Sequence, residues 1–132
     1  MAASPVLVDS SFYIGAMRVG RDPLRLLAVT AATRDLAVCG VVRCEVARGL
    51  REVRVLERYQ AQWDVMIYVP TDNRLWASVE QTLWHLDRTG VVLPLPDVVV
   101  ACCALRIGAV VLTYDDHFNH IPGVRAVNRL DI

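Results

Sequence analysis

The chain has 132 residues, with 14 basic and 14 acidic side chains, so its formal net charge is zero and no global charge directs it to nucleic acid. All the basic residues are arginine, which excludes every chemistry that requires a lysine. The hydrophobic fraction of 55% favours a packed core over disorder, and the length predicts a single domain over residues 1–132. No signal peptide, membrane span or C-x-x-C spacing is apparent, so we expect a cytoplasmic protein with reduced thiols.

Strand-like and helix-like segments alternate along the chain. In order, they are a strand at 5–9, helices at 10–18 and 22–34, a strand at 36–42, a helix at 43–63, a strand at 64–70, a helix at 71–90, an irregular link at 91–97, a helix at 97–108, a strand at 109–113, a short turn or helix at 116–121 and a strand at 124–130. Ser10 or Ser11 is expected to cap the first helix, and Gly49 is a weak point in the third. The alternation predicts an α/β fold, with three α/β/α layers around a central parallel sheet of four to five strands.

Four carboxylates occupy positions that such a sheet would bring together. Asp9 ends the first predicted strand, Asp115 follows the fourth, Glu45 lies in a predicted helix and Asp97 opens another. Ligand sites in open α/β sheets form at the C-terminal ends of the strands. Clustered carboxylates repel one another by roughly 4 kcal/mol per pair at about 4 Å and an effective dielectric near 20. A divalent cation cancels that repulsion, and oxygen donors suit Mg²⁺ or Mn²⁺.

Each acid also has a simpler structural interpretation. Taken one at a time, Asp9, Asp97 and Asp115 suit helix N-caps better than metal ligands, and Asp97 is especially cap-like because it follows a proline. Glu45 has a possible ion-pair partner one turn later, although its neighbours are apolar. His117 is expected in an exposed polar turn. Only the joint pattern of the acids favours a metal site.

Other α/β enzyme classes lack their signatures here. The chain contains no G-x-G-x-x-G after its first strand, no Walker A sequence and no G-x-S-x-G nucleophile elbow. A phosphoacceptor receiver domain also fails, because that fold relies on a lysine. An all-carboxylate site is what remains.

The ordered set VLVDSS, VVRCEVARGL, LPDVVVACCALRIG and VVLTYDDHF resembles PIN-domain ribonucleases, and within that family the VapC-type toxins of toxin–antitoxin pairs. The resemblance covers almost the whole chain, as a single PIN-like nuclease domain. The family's acids match Asp9, Glu45, Asp97 and Asp115. Two departures are the VVVACC run, which is bulkier than usual, and His117, which replaces the common acidic residue before the phenylalanine; neither changes the four matched acids.

The resemblance implies a toxin-type endoribonuclease that hydrolyses RNA with Mg²⁺ or Mn²⁺. Asp9, Asp97 and Asp115 would hold the metal and Glu45 would complete the catalytic set, with outer support from three neighbouring residues, Ser10, Thr113 and Asp116. The implied partners are an RNA substrate, a cognate VapB-like antitoxin and a second copy in a homodimer. The alternatives are a catalytically silent PIN-like interaction protein and a metal-dependent DNA nuclease.

Overall fold

The computed structural model of the protein describes residues 3–129. Short strands and helices alternate through this part of the chain, as the sequence predicts. In chain order they are β1 (Val6–Val8), α1 (Ser10–Arg18), α2 (Pro23–Ala31), β2 (Leu36–Cys39), α3 (Gly40–Ala47), α4 (Val53–Trp63), β3 (Ile67–Val69), α5 (Asn73–Arg88), α6 (Leu95–Ile107), β4 (Val110–Leu112), a 3-10 helix (Asp116–His120) and β5 (Ala126–Val127).

The strands form one parallel sheet in the order β3-β2-β1-β4-β5. Helices flank the sheet on both faces, which confirms the predicted three-layer α/β/α architecture. The chain leaves β1 toward β2 and β3 on one side and later returns to β4 and β5 on the other. The topological switch point therefore lies between β1 and β4, where α/β sheets open a crevice for ligands.

The core is built on the two central strands. Every residue of β1 and β4 is buried, as expected for parallel strands covered on both faces. Beside them, the indole Nε1 of Trp63 donates a hydrogen bond to the hydroxyl of Tyr13 at 3.2 Å, and both side chains are buried. This contact fixes α4 against α1, the helix that follows β1.

Two boundaries in the first half of the chain differ from the prediction. The second strand ends at Cys39 instead of residue 42, because Val42 and Val46, one helical turn apart, both point into the core from α3. The single helix predicted over 43–63 is two helices, α3 and α4. The break falls next to Gly49, the predicted weak point.

The serine cap predicted for α1 is wrong, and the N-cap interpretation of Asp9 is confirmed. Ser10 and Ser11 lie inside the helix, and Asp9 is its N-cap, with Oδ2 accepting a hydrogen bond of 3.4 Å from the backbone N–H of Ser11. Asp9 has the extended backbone that an N-cap needs, because it is the first residue beyond β1.

The start of α6 is also earlier than predicted. The helix begins at Leu95, with Pro94 as its N-cap, so Asp97 lies in the first turn and the capping interpretation of Asp97 is wrong. Pro96 does not prevent this start, since the first helical residues need no backbone N–H donor.

The fifth strand is shorter than predicted. It comprises two residues, and Leu130, the end of the predicted segment, lies outside the described residues. Between residues 3 and 129, no helix has the length and apolar character needed to cross a membrane.

Gly108 ends α6 in the left-handed conformation, at φ 64° and ψ 33°, and leads the chain into β4. We expect Gly108→Ala to lower the free energy of unfolding by roughly 1–2 kcal/mol, because an L side chain is strained there. Urea denaturation measures the change. Gly49→Ala is the matched control: the added methyl would lie 3.6 Å from its nearest neighbour, an ordinary contact, so a comparable loss there would contradict the explanation.

Candidate active site

The carboxylate of Asp9 is fixed from the opposite side of the switch point. Oδ2 of Asp9 accepts a hydrogen bond of 2.9 Å from the hydroxyl of Thr113, the first residue beyond β4. The same hydroxyl accepts from the backbone N–H of Asp115 at 2.9 Å and lies 3.0 Å from the hydroxyl of Ser11. Asp9 and Thr113 are both buried. Thr113 therefore connects the ends of β1 and β4 and orients the loop that carries Asp115.

Glu45 reaches the same region from α3. Its Oε1 accepts a hydrogen bond of 3.0 Å from the hydroxyl of Ser10, at the start of α1. Burial is the main cause that raises the pKa of Glu45 above its ordinary value, and the negative charges of Asp9 and Asp97 add to it. Glu45 thus faces the other acids and does not form the surface ion pair with Arg48 that the sequence spacing allowed.

Asp97 and Asp115 meet at His117. Nδ1 of His117 lies 2.5 Å from Oδ2 of Asp97 and 3.0 Å from Oδ1 of Asp115. The backbone N–H of His117 also donates to Oδ1 of Asp115 at 3.0 Å, which makes Asp115 the N-cap of the 3-10 helix. The exposed polar turn expected at His117 is a 3-10 helix in which this side chain contacts two of the four acids.

These three residues are the group in residues 3–129 whose geometry suits a metal ion. One ligand atom from each of Asp97, Asp115 and His117 lies within 4.8 Å of the others. Asp9 is outside this group and is held by Thr113 instead, so its role as a metal ligand stays a prediction. The histidine is the site residue that the sequence analysis assigned to an exposed polar turn instead. Its only sequence signal is the position two residues after Asp115, next to the buried Phe118.

The electrostatics of the site reflect uncompensated negative charge. Burial raises the pKa of Asp97 above its ordinary value, and the charges of Asp115 and Asp9 raise it further, against the lowering effect of the His117 hydrogen bond. The hydrogen bond to Asp97 is the main cause that raises the pKa of His117. Both shifts favour a proton or a cation between the acids.

Asp116 stands apart from this arrangement. It is exposed at the start of the 3-10 helix, and its negative charge contributes weakly to the raised pKa of His117. Its role as an outer support of the site stays a prediction, like those of Ser10 and Thr113.

The sequence matches a known family over most of its length. The family model of the PIN domain matches residues 6–124, so the chain belongs to the PIN domain family. A sequence search of curated proteins finds no match.

Solved structures with this fold include chains of several toxin–antitoxin complexes. A chain of the DNA-bound VapBC from Salmonella typhimurium superimposes with a TM-score of 0.75 at 19% identity, covering 95% of this chain and 98% of that chain. A chain of VapBC-1 from nontypeable Haemophilus influenzae gives 0.73 at 16% identity, with coverage of 93% and 96%. A chain of FitAcB from Neisseria gonorrhoeae gives 0.70 at 17% identity, with coverage of 96% and 99%. These likenesses establish the shared fold.

The stability of the metal-free protein should depend on the charge of Glu45. Because burial raises its pKa, the folded state disfavours the ionised carboxylate, so wild type loses stability as pH rises from below about 4.3, the ordinary value, through the folded pKa. We expect Glu45→Gln to melt higher than wild type at pH 7 in chelator and equally near pH 3, since the amide oxygen still accepts from Ser10. Thermal unfolding monitored by circular dichroism measures this.

Glu57→Gln, on the exposed face of α4, serves as the control and should behave like wild type at both pH values. A lower melting temperature for Glu45→Gln at pH 7 would show that the charged form of Glu45 stabilises the metal-free fold.

Proposed function

We propose that this protein is a toxin-type endoribonuclease that hydrolyses RNA phosphodiester bonds with Mg²⁺ or Mn²⁺. One observation carries the proposal: Asp9, Glu45, Asp97 and Asp115, the acids that the sequence resemblance selects, lie near one another at the switch point of the sheet. Membership of the family supplies the reaction class, and the convergence supplies the site.

The donor set fits a divalent cation. Asp97 and Asp115 offer oxygen atoms and His117 a nitrogen atom, close enough to share one ion, while Asp9 adds negative charge beside them. We assign Asp97 and Asp115 as metal ligands, with Asp9 as the third acid and His117 as an additional donor. When bound, the cation supplies the positive charge that offsets these acids and the charge that develops on the phosphate during in-line hydrolysis.

The remaining residues have distinct roles in this proposal. Glu45 is positioned by the hydroxyl of Ser10 at Oε1, and it takes a proton from the attacking water. Its raised pKa makes it a better proton acceptor than an ordinary carboxylate. Thr113 holds the Asp9 carboxylate and the Asp115 loop in place, so the acids need little rearrangement to bind a cation.

The structural likeness and the charge of the crevice support an antitoxin partner as part of this proposal. The neighbours from Salmonella, Haemophilus and Neisseria are chains of VapBC and FitAcB structures. The crevice in this chain is acidic, so a VapB-like antitoxin with a basic side chain would complement it through charge-assisted hydrogen bonds. Trp76 and Trp84 on α5 are 42% and 57% exposed, which favours a second copy or the antitoxin as cover for that helix.

Loss of either proposed metal ligand, Asp97 or Asp115, should strongly slow metal-dependent cleavage. We expect Asp97→Asn and Asp115→Asn each to slow cleavage of single-stranded RNA by at least about a hundredfold in Mn²⁺, because the phosphate and the water lose their alignment. Asp87→Asn, an exposed acid on α5, is the matched control and should cleave like wild type. A gel assay with purified protein measures the cleavage rate. A DNA strand of the same sequence, tested in the same assay, shows whether the substrate is RNA or DNA.

Melting curves separate loss of the site from loss of the fold. Mn²⁺ at about a hundred times its dissociation constant should stabilise wild type by roughly 2.7 kcal/mol, and the two Asn variants should lose most of that response. Equal cleavage by wild type and Asp97→Asn would show that the activity comes from another site or from a contaminant. Cleavage of the DNA strand alone would replace RNA by DNA as the substrate.

Expression of the active chain alone should arrest growth. Wild type should be toxic to the host cell, Asp97→Asn should not be, and co-expression of a cognate antitoxin should restore growth. Colony counts after induction measure the effect. Harmless expression of a protein that cleaves RNA in vitro would contradict the toxin assignment and leave the nuclease assignment standing.

A further inference from the structure

An aromatic ring stands exposed at the edge of the candidate active site. Tyr114 lies between Thr113 and Asp115, and its side chain is 49% exposed. Its backbone N–H donates a hydrogen bond of 3.0 Å to the hydroxyl of Ser11. Nothing in the proposed hydrolysis uses this ring.

The ring is held in place on one side by α1. It packs on the buried Phe12 with centroids 5.4 Å apart and the ring planes 33° from parallel. A Cβ on Gly15 would lie 2.8 and 3.0 Å from two carbons of the tyrosine ring, so only glycine leaves room for it. Glycine inside a helix is destabilising by roughly 0.5–1 kcal/mol relative to alanine, and here the close approach of the ring explains its presence. Tyr114 is therefore preorganised, with its remaining surface open.

A groove begins at this ring. It has a volume of about 540 Å³ and runs along the C-terminal ends of β4 and β5. Its lining includes Asp115 from the candidate metal site, the neighbouring Asp116, and Asn119, Asn128 and Arg129. The volume is in the range of small-molecule sites, about 300–1,000 Å³. Amide side chains offer both donors and acceptors, the chemistry that base edges require.

We propose that Tyr114 and this groove form a nucleobase-binding site, which holds one unpaired base of the RNA substrate beside the scissile phosphate. The base stacks on the open part of the Tyr114 ring, and Asn119 and Asn128 meet its hydrogen-bonding edge. The inference rests on the proposed function and adds that the RNA substrate is single-stranded where it contacts the protein. Single-stranded RNA is the class it selects, because a base in a duplex is not free to stack on the protein.

The test combines a protein change with an RNA change. The probe is a single-stranded RNA that wild type cleaves, with an abasic residue at each position in turn, and the protein carries Asp97→Asn throughout so that the RNA stays intact. Fluorescence anisotropy measures its dissociation constant. Tyr114→Leu keeps the apolar cover on Phe12 but removes the aromatic face, Tyr114→Phe keeps both, and Gly15→Ala displaces the ring while improving helix propensity.

We expect Tyr114→Leu and Gly15→Ala to weaken RNA binding by on the order of ten- to a hundredfold, and Tyr114→Phe to bind like the parent. At one position of the RNA, an abasic residue should weaken binding to the parent protein as much as Tyr114→Leu weakens binding of the intact RNA. The same abasic RNA should bind the Tyr114→Leu protein no more weakly than intact RNA does, because the contact between base and ring is already absent. Affinity for Mn²⁺, measured by calorimetry in proteins without Asp97→Asn, should be the same for Tyr114→Leu and wild type.

The proposal would be overturned if Tyr114→Leu and every abasic position weakened RNA binding independently, or if all abasic probes bound equally well, while wild type still cleaved RNA with the metal. Absence of RNA cleavage and RNA binding in wild type would instead overturn the proposed function and this inference with it. Loss of antitoxin binding in Tyr114→Leu with unchanged RNA binding would assign the ring to the partner and reject the nucleobase site.

Discussion

The parallel pairing of β1 with β4 is the constraint on which the candidate site depends. Val8 pairs with Leu112 at the end of the two strands, and the backbone N–H of Asp9 donates to the carbonyl of Leu112 at 2.9 Å. This register leaves Asp9 and Thr113 side by side as they leave the sheet. Their hydrogen bond then sets the course of the loop that carries Asp115. A change of register by one residue would point these side chains to the opposite face and disperse the site.

The charge of the site is the opposite of what its proposed substrate requires. The whole chain is neutral, so attraction between protein and RNA has to arise locally, and the crevice itself is acidic. The pKa values of the half-buried Glu45 and Asp97 are raised mainly by desolvation and further by neighbouring acids, which indicates that the fold alone does not compensate this charge. His117 supplies part of the compensation between Asp97 and Asp115. A divalent cation would supply the rest and change the local sign from repulsive to attractive for phosphate.

Sequence patterns predicted what depends on local periodicity, and failed where distant segments meet. The parallel sheet, and the position of Asp9 and Asp115 beyond its strands, follow from apolar runs that end in acids. The approach of His117 to Asp97 does not, because it depends on how the 3-10 helix packs on α6, twenty positions earlier in the chain. The helix start at Gly40 was missed for a related reason: valines suit both strands and helices, and only their contacts with the core decide between them. The start at Leu95 was missed because Pro94 and Pro96 predict an irregular link, although a proline is tolerated in the first helical turn.

The separation of the site residues along the chain has a consequence for biosynthesis. Asp9 and the Thr113 hydroxyl that holds it are 104 positions apart, and β4 is among the last elements to be made. At about 5–20 residues per second, the ribosome needs roughly 5–20 s to add the second half of this contact after the first. A nascent chain that has not reached Thr113 cannot contain the assembled crevice. The acids therefore come together only when translation is nearly complete, since a nascent chain that ends before Thr113 contains Asp9, Glu45 and Asp97 but not Asp115.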